Sequence, residues 1–217
     1  MTHRFCFILA ILLTACTANG SQPTDQGQAS AADTISQVSP TPTAQQAATP
    51  ALPAQPTGTA WIVVSKLDRT LSVYDRNAAG DTVMVAQFPC CMGKNKGDKV
   101  KRGDMRTPES PAGKPFKITM IQDASTWKHD FGDGRGSIKA YGHWFLRLAT
   151  PGHRGIGIHG STNNEHTVPG RASEGCIRLL DKDIITLKEH FAYVGMPVVV
   201  QGEDQAPLEW EQRARRN

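Results

Sequence analysis

The chain has 217 residues, of which 39% are apolar, 20% charged and 6% aromatic, enough for one ordinary domain plus some excess or two small domains at most. This composition excludes a polytopic membrane protein, a collagen and a wholly disordered chain. The balance of 24 basic against 20 acidic side chains, a net +4, is too mild to point to nucleic acid, and five cysteines make no dense disulfide scaffold.

Residues 1–15 have the features of an export signal. Arg4 supplies the positive start, and Phe5 to Leu13 is an apolar run too short to span a bilayer as a folded helix. Leu13-Thr14-Ala15-Cys16 resembles the bacterial lipobox. The resemblance implies that Cys16 becomes the acylated N-terminus of a lipoprotein, held in the membrane by several acyl chains because one chain binds only marginally. Thr17 and Ala18 follow, with no aspartate, which by the same resemblance favours the outer membrane of a two-membrane cell and a periplasmic domain. The alternative is an ordinary secretory signal with a chance cysteine.

Residues 16–58 form the lipidated N-terminus and a tether. From Thr17 to Gly58 there is no aromatic residue, the only charges are Asp25 and Asp33, and six of the fourteen prolines are found here. Such a segment buries too little apolar surface to offset its chain entropy, so a disordered, partly extended linker is expected.

A domain is expected over residues 59–202. Trp61 to Val64, Leu71 to Tyr74, Thr82 to Phe88, Phe116 to Met120, Trp144 to Leu148, Gly155 to Ile158 and Val198 to Val200 have strand patterns. Asp181 is expected to cap a helix with Ile184, Leu187, Phe191 and Val194 along one stripe, ended by Gly195 and Pro197. The domain is therefore mainly β with one packed helix. Residues 203–217 are expected to be a polar tail, with Arg213 to Arg216 fraying or capping a short helix. Six basic residues lie between Lys94 and Arg106 against only Asp98 and Asp104. That cluster is either a solvated loop or a surface that attracts an anionic polymer.

The chemistry concentrates in Ile156-Gly157-Ile158-His159-Gly160 and Ser173-Glu174-Gly175-Cys176-Ile177-Arg178. Cys176 has no obvious disulfide partner. A thiol within reach of an imidazole is a nucleophile–base pair, and a thiolate held by the imidazolium charge is expected, with its pKa below that of a free thiol. Gly175 removes a side chain beside the sulfur, and the amides near Gly175 and Cys176 are expected to face a developing oxyanion. Cys90 and Cys91 are adjacent, so one is expected in the core and the other at the surface, and a vicinal disulfide is a strained possibility. A zinc site from His153, His159, His166 and Cys176 matches no compact ligand spacing. His129, His143, His153 and His166 are left as surface or substrate-loop residues. Asp130 to Gly136 is expected to be a flexible loop lining a substrate channel together with Gly160 to Arg171.

His159-Gly160 followed by Ser173-x-Gly175-Cys176-Ile177-Arg178 resembles the signature of the L,D-transpeptidases, the YkuD-type catalytic domain. Arg106-Thr107-Pro108 through Gly113 resembles that family's Thr-Pro-x-Gly segment, with extra residues inserted. The resemblance implies a β-sandwich with a helix on one side, Cys176 as nucleophile and His159 as general base. It also implies support from Gly160, whose carbonyl orients the imidazole, and from Ser173, Gly175 and Arg178. The departure from the pattern is Glu174, an acidic residue beside the nucleophile, which opposes thiolate formation unless it points outward. The implied partner is a peptidoglycan tetrapeptide stem, the implied product a 3–3 cross-link or an attached amine, and no metal or organic cofactor is required. L,D-carboxypeptidase action, D-amino-acid exchange and non-catalytic wall binding are the alternatives. The oligomeric state is not legible.

Overall fold

The computed structural model describes residues 51–216. The expected export signal, Cys16 and most of the expected tether lie outside the described residues. The last residues of the tether, from Ala51 to Gly58, form no helix or strand but are held against the domain. The Pro53 carbonyl accepts from His190 Nδ1 at 2.7 Å, and the Thr57 hydroxyl donates to Asp75 at 2.7 Å.

Twelve strands and two helices follow in the described residues. They are β1 (Trp61–Ser65), β2 (Thr70–Arg76), β3 (Thr82–Pro89), β4 (Cys91–Gly93), β5 (Phe116–Asp123), β6 (Lys128–Asp130), β7 (Ser137–Lys139), β8 (Trp144–Leu148), β9 (Gly157–His159), β10 (Gly170–Ser173), β11 (Ile177–Arg178), α1 (Asp181–His190), β12 (Pro197–Gln201) and α2 (Glu209–Ala214). Ten strands join in the order β10-β4-β11-β9-β8-β5-β12-β1-β2-β3, and β6 and β7 form a separate hairpin. The long strands follow the apolar alternation. Ile62, Val64, Leu71 and Val73 from one half of the ribbon and Leu146, Ile158 and Ile177 from the other enter a single core. Each such side chain contributes about 1.5–3 kcal/mol by leaving water. β5 links the halves: Phe116 and Lys117 pair with β12, and after a bulge Met120 to Asp123 pair with β8. The bulge bends the strand and lets the ribbon close on itself.

Helix α1 differs from expectation in its cap. Its N-cap is Leu180, and Asp181 is the first helical residue. The Asp181 carboxylate is drawn away from its own helix by the Ser161 amide, 2.7 Å from Oδ1, and by the Thr162 hydroxyl. Ile184, Leu187 and Phe191 are buried, but Val194 lies past the helix and is 62% exposed. The C-terminal segment is also more than a tail. Helix α2 sets Trp210 edge-on to Trp61 and Tyr74 at 5.7 and 5.1 Å, and it buries Glu211 and Ala214. The folded unit thus runs past Gly202. Cys90 and Cys91 are both fully buried and both free, because β4 is an interior strand between β10 and β11. The expectation that one faces solvent fails for that reason.

One buried ion network fixes the basic loop to this frame. Lys66 is fully buried, 2.6 Å from Glu109 and 3.6 Å from Glu203, and it also donates to the carbonyls of Gly97 and Thr107. Arg171 closes the network on Glu203. Burial raises the Glu203 pKa, but the Gly97 amide, Lys66 and Arg171 bring it below the ordinary carboxylate value. Its contribution to stability is present above the unfolded-state pKa and is lost as pH falls through the lower folded one. Lys66→Ala strands the Glu109 carboxylate, while Glu203 keeps Arg171 and the Gly97 amide, and urea unfolding near neutral pH is expected to show a loss of about 3–5 kcal/mol. A loss under about 1 kcal/mol contradicts this account of the network.

Candidate active site

Strands β9 and β11 run parallel, with Ile158 opposite Ile177 and His159 opposite Arg178. Neighbouring strands lie about 4.8 Å apart, so this register sets the imidazole and the guanidinium side by side. Cys176, one residue before β11, sits at the mouth. Cys176, His159, Ser173, Glu174 and Arg178 all line one cavity of about 260 Å³. The structure therefore brings together the two motifs that are thirteen residues apart in sequence.

Each side chain is held by its surroundings. His159 is 3% exposed. Its ring stacks on Phe145 at 5.6 Å and meets Tyr141 at 4.8 Å. Its Nδ1 lies 2.6 Å from the Gly160 carbonyl oxygen. A carbonyl only accepts, so Nδ1 carries the hydrogen and Nε2 keeps its lone pair. The peptide unit that holds the ring is itself fixed. The Gly160–Ser161 peptide offers its carbonyl to His159 and its N–H to Asp181 at 2.7 Å, and the Gly160 amide donates to Tyr141 at 2.8 Å. A Cβ at Gly160 would lie 2.8 Å from Gly142 Cα and would also strike the Asp181 carboxylate, so only glycine fits.

Ser173 is buried and closes the turn that presents the sulfur. Its hydroxyl donates to the Cys176 carbonyl at 2.6 Å and accepts from the Gly175 amide at 3.1 Å. The Gly175 amide is thus committed to Ser173, so it does not face the cavity as an oxyanion donor; the local turn takes it first. Gly175 has φ +140° and a Cβ there would lie 2.8 Å from the Arg106 carbonyl. The Cys176 thiol points to the Gly155 carbonyl at 3.5 Å.

Arg178 is 4% exposed, its Nε is unpartnered, and its guanidinium lies 5.1 Å over the Phe131 ring. Glu174 is exposed and accepts from His129 Nε2 at 3.2 Å, so a histidine left to a substrate loop is its partner. The glycine-rich loop Asp130 to Gly136 forms the tip of the β6–β7 hairpin. Arg135 ties it to Asn163 and Asn164, each at 2.9 Å, so it is clamped to the loop that follows His159. His153, His159 and His166 line three different cavities.

Electrostatics reverses the expected resting state. Burial pushes the Cys176 thiol above its ordinary value, against the pull of the Gly157 amide, Arg178 and Lys99, and Glu174 adds to the rise. Burial and then Arg178 push His159 down to about 3, although its bond to Gly160 favours the proton. Both groups are thus neutral near pH 7. The physical reason is desolvation of each, joined by a fixed positive charge in register with the imidazole, which disfavours a second one. Burial of both groups and the Arg178 charge beside the imidazole thus favour a thiol and a neutral base over a thiolate–imidazolium pair.

Tyr141 also shapes the site and was not singled out from the sequence, while Asp181 was expected only as a helix cap, Lys99 only as part of the basic cluster and Phe131 only within the Asp130 to Gly136 loop. They come from loops and a helix end whose proximity is set only by closure of the fold.

The sequence matches the L,D-transpeptidase catalytic domain family (YkuD) over residues 59–200, more than half of the chain, and the protein belongs to that family. Its mainly β fold is of the L,D-transpeptidase kind. Among solved structures, Bd1075 of Bdellovibrio bacteriovorus is similar at 19% identity over 76% of this chain and 58% of that one, with a TM-score of 0.49. An L,D-transpeptidase of Mycobacterium smegmatis is similar at 19% identity over 66% of this chain and 58% of that one, with a TM-score of 0.46. The helical cell shape determining protein Pgp2 of Campylobacter jejuni is similar at 21% identity over 72% and 52%, with a TM-score of 0.47. This chain spans only between half and three-fifths of the length of those structures. No curated protein matches the sequence.

The neutral ground state has a direct consequence for alkylation by iodoacetamide, which needs the thiolate. The Cys176 rate is expected to climb steadily above about pH 8, with no thiolate plateau between about pH 5 and 8. A plateau in that window contradicts the neutral pair.

Proposed function

We propose that the chain is a peptidoglycan L,D-transpeptidase in which Cys176 is the nucleophile and His159 the general base. The observation that carries this is that both residues line one cavity, with the imidazole held as the Nδ1–H tautomer by Gly160. Membership of the family supplies the substrate class.

The reaction runs in two halves. As the sulfur adds to the carbonyl carbon of the diamino acid in a tetrapeptide stem, the thiol proton passes to His159 Nε2. The amide nitrogen of the terminal D-Ala then leaves with that proton, the C–N bond breaks, and a thioester forms on Cys176. In the second half an amine of a neighbouring stem attacks the thioester and gives its proton to Nε2. The C–S bond breaks and the sulfur recovers the proton. Deferring proton transfer to the moment of attack suits a base that is free at every pH above about 4. The Cys176 amide, next to the turn closed by Ser173, is the donor aimed at the developing oxyanion. Arg178 supplies a buried cation at the same wall for a substrate carboxylate or the oxyanion itself. Water in place of the amine gives L,D-carboxypeptidase action, and a free D-amino acid gives exchange.

The same proposal places the domain at the periplasmic face of the envelope, anchored through acylated Cys16 with the outer membrane as its address, and with residues 16–58 as its tether. Leu13-Thr14-Ala15-Cys16 supports that placement. Cys16→Ala is expected to move the protein from the membrane fraction to the soluble fraction of the envelope; unchanged membrane association contradicts lipidation.

Muropeptide profiles of cells carrying the parent protein or Cys176→Ala test the chemistry. New 3–3 cross-links that vanish in the variant are the expected result. Trimmed tripeptides alone identify a carboxypeptidase. Profiles indistinguishable between the two, with both proteins folded and present, favour a wall-binding lipoprotein and overturn the proposal.

A further inference from the structure

A second cavity, of about 600 Å³, opens beside the first. Its walls carry Lys99, Arg102, Arg147, His153 and Arg154, with Gly152 and Gly155 between them and no carboxylate. Lys99, Arg102, Arg154 and Gly155 line both cavities, so the two spaces meet at the glycine whose carbonyl faces the Cys176 thiol.

The cations converge from three separate segments of chain, the basic loop, β8 and the β8–β9 turn. A merely solvated basic loop has no reason to do so. The carboxylates nearest in sequence are already engaged. Asp104 accepts from Lys99 Nζ at 2.7 Å and from the amides of Val100, Lys101 and Arg106. Asp98 accepts from the amides of Lys99 and Glu109. Arg147 is held by the neutral oxygen of Gln122 at 3.0 Å and lies 5.3 Å over the Phe145 ring. Arg102 and Arg154 are exposed and make no ion pair among the described residues. Three arginines without a carboxylate partner therefore face one concavity, which meets the Cys176 cavity at Gly155.

We infer that this groove binds the carboxylate-bearing portion of a stem peptide and lays that peptide against Cys176. The inference rests on the proposed transpeptidase function and names where its substrate is held. Guanidinium forks match carboxylates in a bidentate way, and a cavity of this size accepts a short peptide segment. The clustered charge also draws an anionic polymer toward the mouth at low salt. The bound stem is either the donor that acylates Cys176 or the acceptor that follows, and the two half-reactions tell them apart.

The test uses the full chain and begins with unreactive Cys176→Ala protein. A tripeptide stem with free carboxylates and the same stem with its carboxylates amidated are titrated by calorimetry, in dilute salt and in about 0.5 M NaCl. The free carboxylate form is expected to bind more tightly, and the preference is expected to collapse in high salt. Adding R102Q and R154Q is expected to weaken the carboxylate form about tenfold and leave the amidated form unmoved, with thermal melting unchanged. In protein that retains Cys176, mass spectrometry then follows thioester formation from a tetrapeptide and transfer to an acceptor separately. A loss in the first step alone assigns the groove to the donor, and in the second alone to the acceptor. Carboxylate preference in the Cys176→Ala protein without any acylation of Cys176 sinks the transpeptidase proposal and spares the groove. Equal binding of both stems by folded parent and R102Q/R154Q protein, with both half-reactions unchanged, overturns the groove.

Discussion

The site depends on one peptide unit. The bond between Gly160 and Ser161 directs its carbonyl at His159 Nδ1 and its amide at the Asp181 carboxylate. Because a peptide unit is planar, fixing its N–H also fixes its C=O. Helix α1 thus orients an imidazole on strand β9 without touching it. The arrangement needs two glycines in contact, since a Cβ at Gly142 would lie 2.7 Å from Gly160 Cα. It also explains why Asp181 opens α1 without capping it: a carboxylate that accepts the Ser161 amide and the Thr162 hydroxyl has left its own helix terminus. The core beneath, where Ile158 and Ile177 meet, keeps β9 and β11 in register, and Cys176 and His159 line the same cavity.

Arg178 gives the site its electrical character. A buried guanidinium in register with His159 makes an imidazolium unfavourable, and burial makes a thiolate unfavourable. The consequence is a thiol with little intrinsic reactivity. Arg102, Arg147 and Arg154 extend the positive field outward into the second cavity, which meets the Cys176 cavity at Gly155.

The long strands were legible because five or more residues of alternation make a period. Phe116 to Met120 shows it plainly. Strands β4, β6, β7, β10 and β11 have two to four residues each, too few for any period, and β10-β4-β11 pair across long stretches of sequence. The same shortness hid the interior position of β4 and hence the burial of both Cys90 and Cys91. Trp210 in a polar tail gave no sign of its docking against Trp61 and Tyr74, because one aromatic residue among charges has no pattern of its own. His159, Ser173, Gly175, Cys176 and Arg178 stood out through glycine-flanked spacing, and the fold places them together. Tyr141 and Arg154 could not be found that way, since nothing local distinguishes a loop residue that closure will bring to a cleft. The thiolate expectation failed for a related reason: pairing chemistry is local, whereas desolvation and the Arg178 field belong to the finished fold.

Nitrogen-15 NMR of the His159 side chain, assigned with a His159→Gln control, addresses the central claim most directly. Between about pH 5 and 8 a neutral ring is predicted, protonated at Nδ1 and bare at Nε2, with no titration in that window. An imidazolium signal near pH 7 that disappears when Cys176 is replaced by alanine contradicts it, because it reveals a preformed ion pair in place of a neutral thiol and base.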